Sequence, residues 1–316
     1  MNVLITSVSN KIPMINAVKA AMNRTEGYKK LFGADINKEC IGQYFVDHFW
    51  PCPPLQGLSI YALTNFCRLN KIKIIYPTRD GELLYYAVHR RFLSEQGIEV
   101  MVSDKDAIEL CLDKLLFYSQ LSAFGYPVIP TYNSLIQGIE FYVVKERYGA
   151  GSHSIGIGLD QHAALNHALK LQQPIFQPYI KGIEYSVDVY LSNEAAIAAI
   201  VRERRLVVRG ESQITCTVNN PVLETLCMEI AVRFNLKGHI LFQIIVDEYG
   251  GHHIVECNAR FGGASTLSLA VGLDSFYWFM QESVGAKHEE LIYVRAPEEK
   301  MMIRHAEDWI YEDHRI

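Results

Sequence analysis

"FQIIVDEYGGHHIVECNARFGG", residues 242–263, decides the fold: two apolar runs are joined by a glycine-containing turn, and the second carries polar groups at every other position. Successive side chains on a strand point to opposite faces, so Glu256, Asn258 and Arg260 share one face while Val255, Cys257 and Ala259 share the other. The pattern predicts a hairpin. With Tyr249-Gly250 as a two-residue turn, Gln243 stands across from Glu256; with Gly250-Gly251 as the turn, it stands across from Asn258. Either register keeps Gln243 on the polar face, and a three-residue loop breaks it.

A carboxylate, two carboxamide oxygens and an arginine on one sheet face make an oxygen-rich, partly open shell. Magnesium takes such a shell, with few protein oxygens and an octahedron completed by waters and substrate phosphates; manganese can substitute. The arginine suits a phosphoryl group in transfer, whose developing charge needs a fixed bidentate donor. Taken singly, each residue reads more readily as ordinary solvated sheet polarity. Only their grouping points to chemistry.

Working outward, "VLITS" (3–7) is a short strand followed by the polar turn "SVSNK" and a helix, "MINAVKAAMN". "LSIYALTNFCRLN" reads as a helix, "KIKIIYP" as a buried strand, "GELLYYAVHRRFLSEQG" as a helix and "IEVMVS" as another strand. Such alternation implies a parallel sheet covered on both faces, a small doubly wound α/β domain. Its first turn has no GxGxxG, which counts against a dinucleotide site. A helix is then expected from Ser103, with Asp106 as a loose capping partner and Ala107, Ile108, Cys111, Leu112 and Leu115 on its apolar face, ending near "FGYPVIP". Beyond it the pattern turns α+β: hairpins flank "RYGAGSH" and Asn193-Glu194, and the helix "PVLETLCMEIAVRF" precedes the opening hairpin.

The 316 residues, 49% hydrophobic and 21% charged, suit two or three packed lobes. No apolar run approaches the roughly 18 residues of a membrane span, and "MNVLITSVSN" lacks the basic region and long apolar core of a signal peptide. With a net charge of −5 and dispersed Lys and Arg, there is no basic stripe for nucleic acid. A cytoplasmic protein with neither nucleic acid nor membrane as partner is expected. Seven cysteines without a CxxC pair read as reduced thiols, and eleven histidines without HExxH spacing argue against structural zinc.

The opening hairpin, together with "CLDKLLFYSQLSAFGYPVIPT" (111–131), "FYVVKERYGAGSHSIGIG" (141–158) and "FQPYIKGIEYSVDVY" (176–190), resembles the ATP-grasp superfamily, nearest in look to carbamoyl phosphate synthase large subunit-like ligases. The order and spacing of the four motifs carry the resemblance over about residues 1 to 285. It implies a pre-ATP-grasp α/β domain at 1–103, a two-lobed ATP-grasp domain at 104–285 with a mobile lid lobe at about 115–185, and a tail at 286–316.

What the resemblance implies for the site is specific. Gln243, Glu256 and Asn258 fall on the ligands of nucleotide-bound magnesium, and Arg260 on the phosphate-contacting arginine. Lys145 matches the phosphate-binding lysine and Lys114 the second nucleotide lysine. The loop Gly149, Ala150, Gly151, Ser152 can turn its N–H groups onto phosphate oxygens and close as a lid. The backbone at Tyr179 and Ile180 lies along adenine, Gln177 meets its amino group, and Glu184 takes the ribose hydroxyls. One of Arg202 and Arg204 is expected near the phosphates or the acyl substrate, and Thr78, Arg79 and Asp80 are candidates to grip a charged substrate.

The implied reaction is ligation: a carboxylate attacks the γ-phosphate of ATP, and an amine or thiol displaces phosphate from the acyl phosphate. The expected partners are small-molecule acid and amine substrates, an amino acid or peptide-like compound among them, with a homodimer as the assembly to test. Two alternatives stand beside it: activation of bicarbonate, as in carbamoyl phosphate synthases, and a nucleotide-binding regulatory protein without turnover.

Overall fold

The computed structural model describes residues 1–149 and 154–310, so Ala150, Gly151 and Ser152 of the loop named above lie outside the described residues. The first sheet contains β1 (Asn2–Thr6), β2 (Lys30–Asp35), β3 (His48–Pro51), β4 (Ile72–Tyr76) and β5 (Glu99–Val100). They are parallel, in the order β3-β2-β1-β4-β5, which is doubly wound with its switch point between β1 and β4. Val3, Leu4 and Ile5 are wholly buried because helices cover both faces. α1 (Ile12–Arg24) packs on one face, while α2 (Ile60–Leu69) and α3 (Asp80–Glu95) pack on the other.

At the switch point one carboxylate ties three segments together. Glu82 of α3 accepts hydrogen bonds from Thr6 Oγ1 at 2.8 Å, Ser7 Oγ at 2.9 Å, Thr78 N–H at 2.5 Å and Arg79 N–H at 3.0 Å. Four donors satisfy its buried oxygens, and it caps the helix at the same time.

The single helix expected from Ser103 is two. α4 (Lys105–Leu112) and α5 (Lys114–Ala123) meet at Asp113, whose extended backbone and carboxylate cap α5 by accepting the N–H groups of Leu115 and Leu116, both at 3.1 Å. Ser103 caps nothing: it is buried and accepts the N–H of Lys237 at 2.9 Å. The break turns Phe117 and Leu121 into the core in place of a continued stripe through Leu115.

A three-stranded lobe follows, with β6 (Tyr142–Glu146) between β7 (Gly156–Leu159) and β8 (Pro174–Pro178), and α6 (Gln161–Ala168) against it. Its core is small: Tyr142, Val144, Ala164 and Phe176. The main sheet is six-stranded. It contains β9 (Gly182–Leu191), β10 (Ala196–Val208), β11 (Glu211–Val218), β12 (Gly238–Asp247) and β13 (His252–Asn258). At the start of β9 only glycine fits at 182, since a Cβ there would lie 2.3 Å from Val246 O.

One face of this sheet, with Val187, Val201, Phe242 and Ile244, packs on α7 (Pro221–Arg233), capped by Asn220. Each of these fully buried side chains contributes about 2 kcal/mol. α8 (Thr266–Leu269) and α9 (Ser275–Ser283) lead the chain back to the first sheet, where Phe276 and Trp278 share a core with α1. The last element, β14 (Met301–Ile303), pairs with β11, so the segment expected as a tail supplies an edge strand. Three residues are too few to show a period.

Candidate active site

The hairpin reaches its register by an unexpected route. Asp247 N–H bonds to Gly251 O at 3.0 Å, so the loop is the three residues Glu248, Tyr249 and Gly250. Gln243 nevertheless faces Glu256, because Ile244 pairs with Ile254 and leaves Val255 as an extra residue. This bulge restores the face that the longer loop would have lost. Pairing then runs Glu256, Gln243, Ser186, Arg202 across β13, β12, β9 and β10. These side chains form the floor of a cleft of about 550 Å³.

Lys145 stands over the floor from β6. Tyr142 and Val144 point into the small lobe core, so the alternate residue Lys145 faces the cleft. Lys114 joins it as the first residue of α5: Arg147 pairs with the capping Asp113, Lys114 N–H bonds Arg147 O at 3.3 Å, and Lys114 Nζ bonds Gly149 O at 2.9 Å. Burial pushes the Lys145 ammonium down to about 8, although Glu256 opposes the shift. Burial also resists ionisation of Glu256, but Lys145 and then Lys114 outweigh it and hold the carboxyl below its ordinary value. One carboxylate thus feels two buried lysines.

Gln243 Nε2 and Asn258 Nδ2 both donate to Glu256 Oε1, at 2.9 and 3.2 Å. Among the described residues no three His, Cys, Asp or Glu side chains gather to hold a metal. One carboxylate with two carboxamides fits a magnesium ion that arrives on nucleotide phosphates and keeps water ligands, since a single negative charge is too little to retain an ion unaided.

The two arginines of β10 differ. Arg204 is fully engaged, by Glu184, by Gln243 Oε1 at 2.8 Å, by Gly210 O at 2.7 Å and by Ser212 Oγ at 3.1 Å. Arg202 is 1% exposed and gives its Nε to Asp188 at 2.7 Å, while its Nη1 has no hydrogen-bond partner among the described residues. A buried guanidinium N–H without an acceptor leaves a place for an anion. Burial opposes the ionisation of Asp188, but Arg202 and His239 outweigh it, with Ser265 and Ser268 donating at 2.7 and 2.5 Å, and the carboxyl stays far below the ordinary range.

Other expected residues lie elsewhere or are committed. β13 ends at Asn258, and Arg260 leaves the sheet to pair with Asp80 through Nε at 2.9 Å and Nη2 at 2.5 Å. Strand parity therefore does not position Arg260, although it still borders the cleft. Asp80 is taken by that pair and buried Thr78 donates to Thr6 O, which leaves Arg79 as the exposed member of its trio. Gln177 is buried and donates to Thr131 Oγ1 at 2.8 Å; Tyr179 N–H bonds Phe141 O at 2.8 Å, and Ile180 follows it toward the turn at Gly182. Glu184 is held by Arg204. Sequence reading missed Lys11, which borders the cleft from the turn after β1 and whose pKa is lowered by burial and then by Arg260. Its position at a strand's carboxyl end beside the switch point was the available signal.

A family described as "ATP-grasp in the biosynthetic pathway with Ter operon" matches residues 170–309. No curated protein sequence matches the chain. Among solved structures, it is similar to the biotin carboxylase domain of Hydrogenobacter thermophilus 2-oxoglutarate carboxylase in complex with MgADP and bicarbonate, at 16% identity and TM-score 0.74 over 95% of this chain and 73% of that one. It is similar also to Staphylococcus aureus N5-carboxyaminoimidazole synthetase complexed with ADP, at 14% identity and TM-score 0.68 over 90% and 77%. L-amino acid ligase from Bacillus licheniformis gives 14% and 0.67 over 92% and 76%. The chain thus shares the fold of these ATP-grasp structures along nearly its whole length, and its residues 170–309 match an ATP-grasp family.

Proposed function

We propose that the protein is an ADP-forming, Mg-ATP-dependent ligase that joins a carboxylic acid to an amine or thiol, with an amino acid or peptide-like compound among its substrates. The observation that carries this reading is that Glu256, Lys145 and Lys114 line one cleft with Arg202, which keeps an unpaired N–H. The superfamily's solved relatives described with ADP or MgADP support the nucleotide.

In this reading Lys145 and Lys114 hold the β- and γ-phosphates, and Gln177 with the backbone at Tyr179 and Ile180 borders the base. Glu184 exchanges Arg204 for the ribose hydroxyls, and Arg260 exchanges Asp80 for a phosphate. Gly149, which borders the cleft, stands beside the phosphates. Glu256, Asn258 and Gln243 would hold magnesium, which when bound would supply positive charge for the phosphate oxygens. A carboxylate oxygen attacks the γ-phosphorus, the bond to the bridging oxygen breaks, and the electron pair leaves on ADP. The amine then displaces phosphate and loses a proton. Phosphoryl transfer asks the protein mainly for positioning and charge, which lysines and arginines supply.

Incubation with Mg-ATP, hydroxylamine and pools of amino acids and small acids should release ADP and trap a hydroxamate. Glu256→Ala should lower ADP release by about 100-fold or more with the circular dichroism unchanged. AMP as product, or normal turnover in that variant, would overturn the proposal. ADP released with bicarbonate alone would make bicarbonate the acid.

A further inference from the structure

A second cavity, of about 210 Å³, opens at the carboxyl ends of the first sheet and shares Arg79 and Gly81 with the nucleotide cleft. Its walls are mostly apolar: Trp50, Pro53, Pro54, Leu55 and Leu58, with Tyr86 behind. Trp50 is stacked on Phe66 with ring centroids 3.9 Å apart, so its indole is a fixed wall. Burial pushes the Cys52 thiol up to about 11, which keeps that side neutral. At the base, Ser7 has a φ of 51° and gives its hydroxyl to Glu82. A non-glycine residue held there costs about 1 kcal/mol, a strain found most often beside functional sites.

The charges around this cavity are unequal in what they can still bind. The Glu82 carboxylate already accepts four donors from the protein, so little of its hydrogen-bonding capacity is left for a ligand. Arg79 is exposed at the junction of the two cavities and has no acid within ion-pair distance among the described residues. A ligand bridging that junction therefore meets a free guanidinium at one end and an apolar socket at the other. A cavity of about 150 Å³ lined by apolar side chains accepts benzene, so this one has room for a phenyl or branched aliphatic group.

We infer that this cavity selects the acid substrate of the proposed ligase: a carboxylic acid with a compact apolar group, its carboxylate on Arg79 facing the nucleotide cleft and its apolar group against Trp50 and Leu55. This rests on the ligase reading for the reaction but not for the binding. The test uses the full chain and an acid series from acetate through isovalerate to phenylacetate, with succinate as the polar control. Acid binding is read from Trp50 fluorescence, with Trp50→Phe as the control, and nucleotide binding separately by calorimetry with Mg-ATP.

Isovalerate and phenylacetate should bind at least about tenfold more tightly than acetate or succinate and should lower the KM for ADP release by the same ratio. Leu55→Trp, which fills the socket, should abolish that preference while leaving acetate within about twofold. Arg79→Gln should weaken every acid by about tenfold or more, with partial recovery in Arg79→Lys. Equal affinity across the series, or a preference that survives Leu55→Trp, would overturn the assignment. Absence of Mg-ATP binding in the calorimeter would overturn the ligase reading instead, because the fluorescence titration needs no nucleotide.

Discussion

The six-stranded floor and the three-stranded lobe above it hold charged groups by opposite means. On the floor, two charges are answered by several neutral and charged neighbours at once: Asp188 by Arg202, His239, Ser265 and Ser268, and Arg204 by Glu184, Gln243, Gly210 and Ser212. In the lobe, Lys145 is buried with its pKa pushed down to about 8, and the core behind it consists of four buried residues. The back face of the floor is packed on α7. The lobe carries a charge that burial disfavours, a cost that a bound polyphosphate would reverse.

The largest expected effect breaks the floor. Asp188→Asn removes the partner of a wholly buried arginine and should cost about 4 kcal/mol in denaturant unfolding. Because the Asp188 pKa is depressed on folding, its stabilisation is present above the ordinary carboxylate range and is lost as pH falls below it. The variant should therefore show a flatter acid limb in a plot of Tm against pH. An unchanged acid limb would mean that the floor is not the electrostatically anchored wall.

A somewhat smaller effect belongs to the lobe and has the opposite sign. Lys145 has a folded pKa of about 8 against an ordinary 10.5, so the unfolded chain binds more protons between those values. Stability should rise across that window by about 3 kcal/mol. The stability difference between Lys145→Met and the parent protein should narrow from pH 8 to pH 10.5, since the parent is relieved of its charge there and the variant has none. A constant gap would place the ammonium in water.

The smallest effect separates the two walls by their dynamics. Tyr142→Phe removes the hydrogen bond from the phenol to Ile136 O, 2.7 Å long, and should cost about 1 kcal/mol locally. Hydrogen exchange should speed up in β6 and β8 and stay unchanged in β9 and β12. Equal acceleration in both would show that the lobe and the floor open as one unit.

Much of this was legible in the chain because strands report their faces by parity. Glu256, Asn258 and Gln243 could be grouped before any fold was known. Parity failed where a strand ended or bulged. Arg260 lies two residues past the end of β13, and the pairing of Gln243 with Glu256 survives a three-residue loop only through the bulge at Val255. The helix break at Asp113 was missed because the apolar period runs through it, whereas the capping carboxylate answers to Arg147 and Tyr148, more than thirty residues away. β2, β3 and β14 are short and carry no clear alternation.

Sequence alone determined which residue types share a face and in what order the α/β and α+β parts occur, because both follow from periodicities of two and of about four residues. Tertiary structure decided which of those residues are spent and which are available. Arg202 and Arg204 are equivalent by parity, yet one is saturated and the other keeps a buried, unpaired N–H. Thr78, Arg79 and Asp80 are consecutive, yet only Arg79 is left uncommitted, between two cavities. Hydrogen-bond saturation depends on partners brought from distant parts of the chain, and no local pattern carries that information.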